Sequence, residues 1–399
     1  MFLFFFGVFS LNLFGQKLTD RDLNEEQFAA LLTLNKVIPE IDFEEKGVAG
    51  FYQYYENTRK IEIPCSDIEG ETIDDISIFS TLPKVEEILF FGCSNNDFSS
   101  LKNSSKLKTL RIYEHKTLLD LTTVFQIKQL ENLVINEVSN VSENELQGIG
   151  FLKNLLTLSI ENSDITDLSP IVDLNKLEKI SVASCNISKT ENWNALAQLR
   201  EVSLTGCGLT NLDFLTSHEK LEVLSVSQNK LQKLSLNFKG LKTLWVASNE
   251  LTKVTGFANS KDLGLINLGY NKLEDITELI DLENIEFLNI SYNNISDICF
   301  LSSKQTLSNL DISNNPIGDA SCLKALINLE TFDGSSNRLS IYPCSPRTLE
   351  ELKSNNSSCN SLEKGLYWSL NNLFYILAAI IVFVIVMVFI SRSMNRKTE

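Results

Sequence analysis

The chain has 399 residues, of which 51 are acidic and 35 are Lys or Arg, so its formal net charge is -16 at pH 7. A surface this acidic repels nucleic acid and anionic membranes, and we expect the folded part to bind neither. Two histidines cannot supply a hydrolase triad or a zinc site, and no glycine-rich phosphate loop opens a helix. We therefore predict no enzymatic activity, no cofactor and no metal.

Residues 1–16 are predicted to be a signal peptide. The run MFLFFFGVFSLNLF at 1–14 is almost wholly apolar, yet it is shorter than the roughly 20 residues that a bilayer-spanning helix needs. An uncleaved hydrophobic arm is the alternative interpretation.

Residues 17–81 are predicted to form an N-terminal cap. Asn24 followed by Gln27 is typical of a helix start, and an amphipathic stripe runs through Leu23, Phe28, Leu31 and Leu32. A short capping strand over 61–63 then precedes Cys65. A cap is needed because a repeat array begins at residue 82, and the end of such an array would otherwise expose its core.

One short pattern recurs twelve times over residues 82–343. It reads as apolar, two variable residues, apolar, one variable residue, apolar, two variable residues, and then an anchor that is polar or small in most copies. The anchors follow one another at steps of 22, 23, 25, 22, 22, 22, 20, 22, 22, 22 and 22 residues, a regularity typical of a solenoid. The anchors are Cys93, His115, Val138, Ser163, Cys185, Cys207, Asn229, Asn249, Asn271, Asn293, Asn315 and Asn337.

Each copy begins with a strand. The alternation of Leu288, Asn289 and Ile290 is strand periodicity, and it lasts only three or four residues. A strand so short must stack on its neighbours, which gives a parallel sheet with strands roughly 4.8 Å apart. Where the chain leaves the sheet, an Asn amide can donate to one buried carbonyl and accept from one N–H. We predict an internal ladder of Asn229, Asn249, Asn271, Asn293, Asn315 and Asn337.

Units such as IEFLNISYNNISDI at 285–298 follow the form LxxLxxLxLxxNxIxDIxxL. They resemble the leucine-rich repeat superfamily, in particular its 22-residue class found in bacterial internalins. The resemblance covers about two thirds of the chain. It implies an α/β solenoid, a curved horseshoe of about twelve repeats with a parallel concave sheet and short helical or extended convex segments, capped at both ends. It also implies that a protein ligand binds the concave side.

The concave face is predicted to change character along the array. Ser159, Ser181, Ser203 and Ser225 form a smooth polar column, in which Trp245 comes next. Large apolar side chains on an exposed sheet are typical anchors of protein interfaces. We predict a partner-binding patch of Trp245, Leu265, Phe287, Tyr270 and Tyr292; lateral stacking that merely stabilises the sheet is the alternative. A smaller N-terminal cluster comprises Leu89, Phe91, Arg111 and Tyr113; packing of this cluster on the cap is the alternative to a second patch.

Two acidic residues, Asp311 and Asp333, occupy equivalent concave positions in neighbouring strands. Because they lack an enclosing cleft, we expect a solvated acidic patch or at most a weak cation site. Seven Asn-x-Ser sequons occur, and a glycan on Asn289 would occlude the aromatic patch. The seven are Asn103, Asn140, Asn186, Asn289, Asn294, Asn355 and Asn356.

Eight cysteines suggest disulfides in an exported chain. Those at anchor positions, namely Cys93, Cys185 and Cys207, are predicted to be buried free thiols, although Cys65 could pair with Cys93. Cys344 and Cys359 follow the last repeat and are predicted to form a disulfide of the C-terminal cap. Cys299 and Cys322 lie at near-equivalent places in adjacent repeats, close enough for a bridge if their side chains face each other.

The C-terminal part is predicted to anchor the chain in a membrane. Residues 344–365 form a cap and stalk, residues 366–390 form one transmembrane helix, and residues 391–399 form a short basic tail. Eighteen apolar residues run from Leu373 to Ile390, and Arg392, Arg396 and Lys397 follow them. The positive-inside rule then makes the chain a single-pass type I membrane protein with its repeats extracytoplasmic.

Together these features predict a membrane-anchored recognition or adhesion protein that binds a protein partner through its concave face. The alternative is a structural scaffold that organises a membrane or envelope complex, with the repeats as a spacer.

Overall fold

The computed structural model describes residues 57–65, 76–94, 97–117, 119–138, 146–190, 193–215 and 218–339. The predicted signal peptide, the helix start at Asn24, the Cys344–Cys359 disulfide, the stalk, the transmembrane helix and the basic tail lie outside these residues. Within the described ranges, no helix has the length and apolar character needed to cross a membrane.

Thirteen parallel strands form one sheet, and neighbours in the chain are neighbours in the sheet except where β9 and β11 leave it. Twelve of the strands belong to the twelve repeats, and β1 of the cap extends the sheet by one. The strands are β1 Lys60–Pro64, β2 Glu87–Phe91, β3 Thr109–Tyr113, β4 Asn132–Asn136, β5 Thr157–Glu161, β6 Lys179–Ala183, β7 Glu201–Thr205, β8 Val223–Ser225, β9 Lys233–Ser235, β10 Thr243–Trp245, β11 Lys253–Thr255, β12 Leu265–Asn267, β13 Phe287–Asn289, β14 Asn309–Asp311 and β15 Thr331–Asp333.

Short helical turns return the chain from one strand to the next. Only one of those described is an α-helix, Leu121–Val124, and the rest are 3₁₀ turns of three to five residues. The 3₁₀ turns are Ser77–Thr81, Ser99–Asn103, Ile149–Phe151, Ser169–Asp173, Trp193–Ala195, Phe257–Asn259, Thr277–Asp281, Cys299–Ser303 and Ser321–Ala325. The predicted solenoid with a parallel sheet and short convex segments is confirmed.

The core fills the space between the sheet and these turns. In a typical repeat, the inward strand residues Leu288 and Ile290 and the turn residue Leu301 are all fully buried. Full burial of such a side chain contributes roughly 1.5 to 3 kcal/mol. Since every repeat stacks on the next, one continuous apolar core runs through the described array.

A left-handed residue ends each repeat strand. In all twelve repeats the residue just before the anchor has a positive φ, between 48° and 67°. This conformation turns the chain out of the sheet and aims the next side chain inward. Gly occupies the position twice, and L-residues occupy it elsewhere: Gly92, Glu114, Glu137, Asn162, Ser184, Gly206, Gln228, Ser248, Tyr270, Tyr292, Asn314 and Ser336.

The anchor that follows closes buried backbone hydrogen bonds. The side-chain oxygen of Asn271 accepts from Leu251 N at 3.0 Å, while its nitrogen donates to Val246 O at 3.1 Å and Leu268 O at 3.0 Å. One amide therefore joins backbone groups of two successive repeats. Asn229, Asn249, Asn293, Asn315 and Asn337 likewise each accept from an N–H of the preceding repeat.

Cysteine performs half of this task in the middle of the array. Cys207 Sγ donates to Val182 O at 3.3 Å, the carbonyl equivalent to the one that Asn271 uses. Burial raises the pKa of Cys207 to about 12, so the thiol stays protonated as a donor. A thiol is a poor acceptor, and the N–H of Ile187 donates instead to the backbone oxygen of Cys207 at 3.0 Å. As predicted, Cys185 and Cys207 are buried free thiols.

The prediction for Cys93 was wrong in its preferred form. Cys93 is bonded to Cys65, which lies 28 positions earlier in the sequence. The reason is the cap: β1 pairs in register with β2, Pro64 opposite Phe91, which places the next residue, Cys65, beside the first anchor. The Cys299–Cys322 bridge expected from spacing is present and joins two adjacent 3₁₀ turns.

Capping side chains stabilise the start of most convex segments. At seven repeats an Asp or Asn accepts, through Oδ1, from the N–H two residues later at 2.7 to 3.0 Å, and a helix or turn follows. At three repeats Lys stands in this position and cannot accept. At these residues the chain is extended: Lys189 forms a bridge with Asp167, and Lys233 and Lys253 begin β9 and β11, a second, two-stranded sheet. The 3₁₀ turns Trp193–Ala195 and Phe257–Asn259 nevertheless follow in two of these three repeats. The seven capping residues are Asp97, Asp120, Asp167, Asn211, Asp275, Asp297 and Asp319.

The ladder geometry predicts a graded loss of stability. Asn271→Leu leaves the buried Leu251 N–H without its acceptor, at about 1 to 3 kcal/mol, whereas Val246 O and Leu268 O each keep one other amide donor. Asn271→Cys keeps a donor for the carbonyls and should lose less. Ser225→Ala, on the concave surface, should change the free energy of unfolding little. Denaturant titration measures all three, and equal stability of Asn271→Leu and Ser225→Ala would contradict a structural role of the ladder.

Candidate functional site on the concave face

Strand register arranges the outward side chains in columns. The first residue of each strand forms one column, in which Val223, Thr243, Leu265 and Phe287 are successive neighbours. The third residue forms a second column, which continues from the Ser159–Ser225 strip into Trp245. After Trp245 this second column contains Asn267, Asn289, Asp311 and Asp333.

The five predicted patch residues form two aromatic pairs and a linking leucine. The rings of Trp245 and Phe287 lie 5.5 Å apart at 46°, although β12 separates their strands, so the rings meet diagonally next to Leu265. Tyr270 and Tyr292 stack in parallel, 4.0 Å apart at 12°. Leu265, Tyr270 and Tyr292 are 37%, 43% and 45% exposed. The patch is thus an apolar surface that the described chain leaves open.

The tyrosine pair occupies an unfavourable backbone conformation. Tyr270 and Tyr292 have φ of 55° and 51°, in the left-handed region that costs roughly 1 to 2 kcal/mol for most L-residues. Ten other repeats fill the same position with Gly or with non-aromatic residues. Eight other non-glycine residues share this conformation, so the pair is distinguished by its two adjacent bulky rings and not by its backbone strain.

A polar floor lies in the second column, beside the aromatic pairs. Asn267, Asn289, Asp311 and Asp333 each use Oδ1 to accept from the N–H two residues later, at 2.8 to 3.0 Å. The repeated pattern Asx-x-Gly/Ser carries this geometry and could have been read from the sequence. Sequence reasoning did not identify Asn267 or Asn289 as part of the site.

Asn289 is fully buried, and its amide nitrogen has no hydrogen-bond partner. Its oxygen accepts from both the N–H and the hydroxyl of Ser291, at 2.9 and 2.7 Å, which fixes the orientation of the amide. A glycan cannot be attached to this nitrogen in the folded chain. The expectation that a glycan on Asn289 would cover the patch is therefore replaced by a buried amide within the floor, whereas Asn103, Asn186 and Asn294 are exposed.

Asp311 is not the solvated carboxylate that the sequence suggested. It is only 5% exposed, because Asn289 and Asp333 flank it in register. Burial raises its pKa, and the neighbouring charge of Asp333 adds to the shift. Burial, the hydrogen bond with Tyr292 and the charge of Asp311 raise the pKa of Tyr270 to about 12, which places the tyrosine pair near this carboxylate.

The N-terminal cluster offers less free surface. Leu89, Phe91 and Tyr113 are only partly exposed, and Arg111 Nε already donates to Glu87 at 2.8 Å. It borders a shallow trough of about 590 Å³ across β3–β7 that is lined largely by polar side chains. This surface lacks the exposed aromatic pairs of the C-terminal half.

Both histidines have structural contacts. His115 Nδ1 lies 2.9 Å from Thr117 O, and His218 Nε2 lies 3.0 Å from Trp193 O. Among the described residues, no three His, Cys, Asp or Glu side chains gather as a metal site would require.

Solved structures of known proteins place this architecture in a class. The chain is similar to the internalin InlF of Listeria monocytogenes, at 23% identity over 72% of this chain and 84% of that one, with a TM-score of 0.60. It is also similar to the plant peptide hormone receptor RGFR1 in complex with RGF2, at 22% identity over 67% of this chain and 46% of the receptor, with a TM-score of 0.52.

The structure of TLR13 in complex with ssRNA13 is similar at 17% identity over 73% of this chain and 53% of that one, with a TM-score of 0.55. Neither a family model nor a curated protein matches the sequence. At these identities the likeness establishes the fold alone, which is a leucine-rich repeat solenoid similar to that of the internalin.

The buried His218 predicts an acid-dependent loss of stability. Burial lowers its pKa below the ordinary value of 6.5, and its Nδ1 has no partner. The unfolded chain therefore binds a proton that the folded chain resists, so stability falls as pH drops below about 6.5. His218→Gln retains a donor for Trp193 O and does not titrate. We expect its unfolding free energy to decline less between pH 7 and 5 than that of the native chain; parallel declines would contradict this assignment.

Proposed function

We propose that the chain is an extracytoplasmic recognition or adhesion protein that binds a protein ligand on its concave face. The patch of Trp245, Leu265, Phe287, Tyr270 and Tyr292 is the proposed centre of the interface. The observation that carries the proposal is the Tyr270–Tyr292 stack, which remains nearly half exposed while both residues hold a left-handed backbone.

Exposed aromatic clusters support an interface because apolar surface is costly in water. Trp and Tyr lose little conformational freedom on binding and bury a large area, which makes them frequent hot spots. The patch also lies on strands rather than on loops, so its side chains are held in fixed register before a partner arrives. Such preorganisation reduces the entropic cost of binding.

Two disulfides support an extracytoplasmic location, since they persist in oxidising compartments. The signal peptide at 1–16 and the transmembrane helix at 366–390 are proposed from the sequence alone. With them, the repeats belong to a single-pass type I membrane protein and stand on the extracytoplasmic side.

Truncation of Trp245 tests the proposed interface. In the full-length chain, Trp245→Ala should reduce affinity for a partner cross-linked on the cell surface by about 2 kcal/mol, near thirtyfold, because hot spots concentrate in buried aromatics. Ser203→Ala, two strands away in the same column, serves as the matched control. Native affinity of Trp245→Ala together with a lowered melting temperature would instead support stacking that only stabilises the sheet.

Variants of the tyrosine pair distinguish an effect on binding from an effect on stability more clearly than Trp245→Ala does. Asn adopts the left-handed conformation more readily than Tyr, so Tyr270→Asn and Tyr292→Asn trade lost stacking for relieved backbone strain. Their unfolding free energies should stay within about 1 kcal/mol of the native value, given the size of each term. Partner affinity should fall. Replacement of Ser248 by Asn, at the same turn one repeat earlier, should leave both properties unchanged.

A further inference from the structure

Among the described residues, no basic side chain pairs with the acidic end of the polar floor. Asp311 and Asp333 lie opposite each other in adjacent strands, about 4.8 Å apart by sheet spacing. Among the described residues neither forms an ion pair, whereas other concave carboxylates do. Glu87, for example, accepts from Arg111 at 2.8 Å, and Glu201 pairs with Lys179 at 2.6 Å.

The neighbouring amide is a second group without a partner. Asn289 stands in register beside Asp311, fully buried, with its nitrogen unpaired and its oxygen already used by Ser291. A buried N–H without an acceptor is costly, and it calls for a carbonyl or carboxylate oxygen. A ligand complementary to the floor therefore has two adjacent groups: a positively charged donor at the carboxylates and an acceptor at the amide.

A metal ion satisfies only one of these requirements. Oxygen ligands suit a hard cation, but one oxygen of each Asp is committed to a backbone N–H, and the amide nitrogen is a donor that repels a cation. A polypeptide satisfies both, since a basic side chain lies a few bonds from a backbone carbonyl. The Tyr270–Tyr292 stack adds aromatic surface near Asp311, and aromatic faces attract guanidinium and ammonium groups.

We propose that this floor is the subsite for a basic residue of the partner polypeptide. It rests on the proposed function and names the chemistry of the ligand at that site. An arginine side chain lies against the tyrosine pair and donates to Asp311 and Asp333, because its planar fork reaches two carboxylates at once. Asn289 is covered in the free chain, so the ligand must displace the side chains above it before the carbonyl of the same residue can accept from that amide.

Small probes test this subsite in the full-length chain with ¹³C-labelled tyrosine. N-acetyl-arginine methylamide should shift the ring signals of Tyr270 and Tyr292, assigned with Tyr270→Phe and Tyr292→Phe, in a saturable way. N-acetyl-citrulline methylamide has the same shape without the charge and should bind at least about tenfold more weakly. Butylguanidinium, which has the charge but no carbonyl, should also bind more weakly than the arginine probe.

Isosteric variants assign the effect to the carboxylates. Asp311→Asn with Asp333→Asn retains the Oδ1 acceptors, as Asn267 and Asn289 do in the adjacent repeats, and should abolish the preference for arginine over citrulline. Asp319→Asn removes one exposed convex carboxylate with the same backbone hydrogen bond and should retain the preference.

Equal binding of arginine and citrulline probes, a preference that survives the double variant, or unshifted tyrosine signals with every probe would overturn the subsite. The Trp245→Ala measurement is independent of these results. A partner that depends on Trp245 but is indifferent to Asp311 and Asp333 would leave the proposed function intact and remove only the basic-residue subsite.

Discussion

The left-handed turn and the buried amide that follows it are the constraint on which the rest of the solenoid depends. The turn takes the chain out of the sheet, and without a side-chain partner the backbone groups at the bend would be buried and unpaired. Asn271 shows the solution, since one amide joins backbone groups of two successive repeats. Where Cys207 replaces Asn, the donor is kept and the missing acceptor is supplied by a backbone carbonyl.

The convex side tolerates more variation because its segments are held by local caps rather than by a shared ladder. An Asp such as Asp297 starts a 3₁₀ turn by accepting from the backbone two residues later. Lys233 and Lys253 cannot accept, and the same segments become strands that pair with each other. The convex backbone thus changes from repeat to repeat, while the concave strands remain in unbroken register across the change.

In adjacent repeats, register makes direct neighbours of residues 20 to 25 positions apart in sequence, and the concave surface gains its chemistry from this. The Ser159–Ser225 strip is lined by small hydroxyls, whereas the C-terminal half combines exposed rings with buried amide and carboxyl groups. Apolar walls around a few convergent polar groups are typical of ligand sites. The same regular backbone can therefore hold a smooth spacer and a recognition surface within one sheet.

The sequence by itself determined the repeat length, the inward positions and the columns, because periodicity of apolar residues dictates which side chains must be buried. It also located the aromatic patch from Trp245 to Tyr292. Only the tertiary structure decided how the residues within a column interact: Asp311 is buried instead of solvated, and Cys93 meets Cys65. The sequence also could not predict that the buried amide nitrogen of Asn289 has no hydrogen-bond partner. Burial and pairing depend on which neighbours cover a side chain, and those neighbours come from other repeats and from the cap strand.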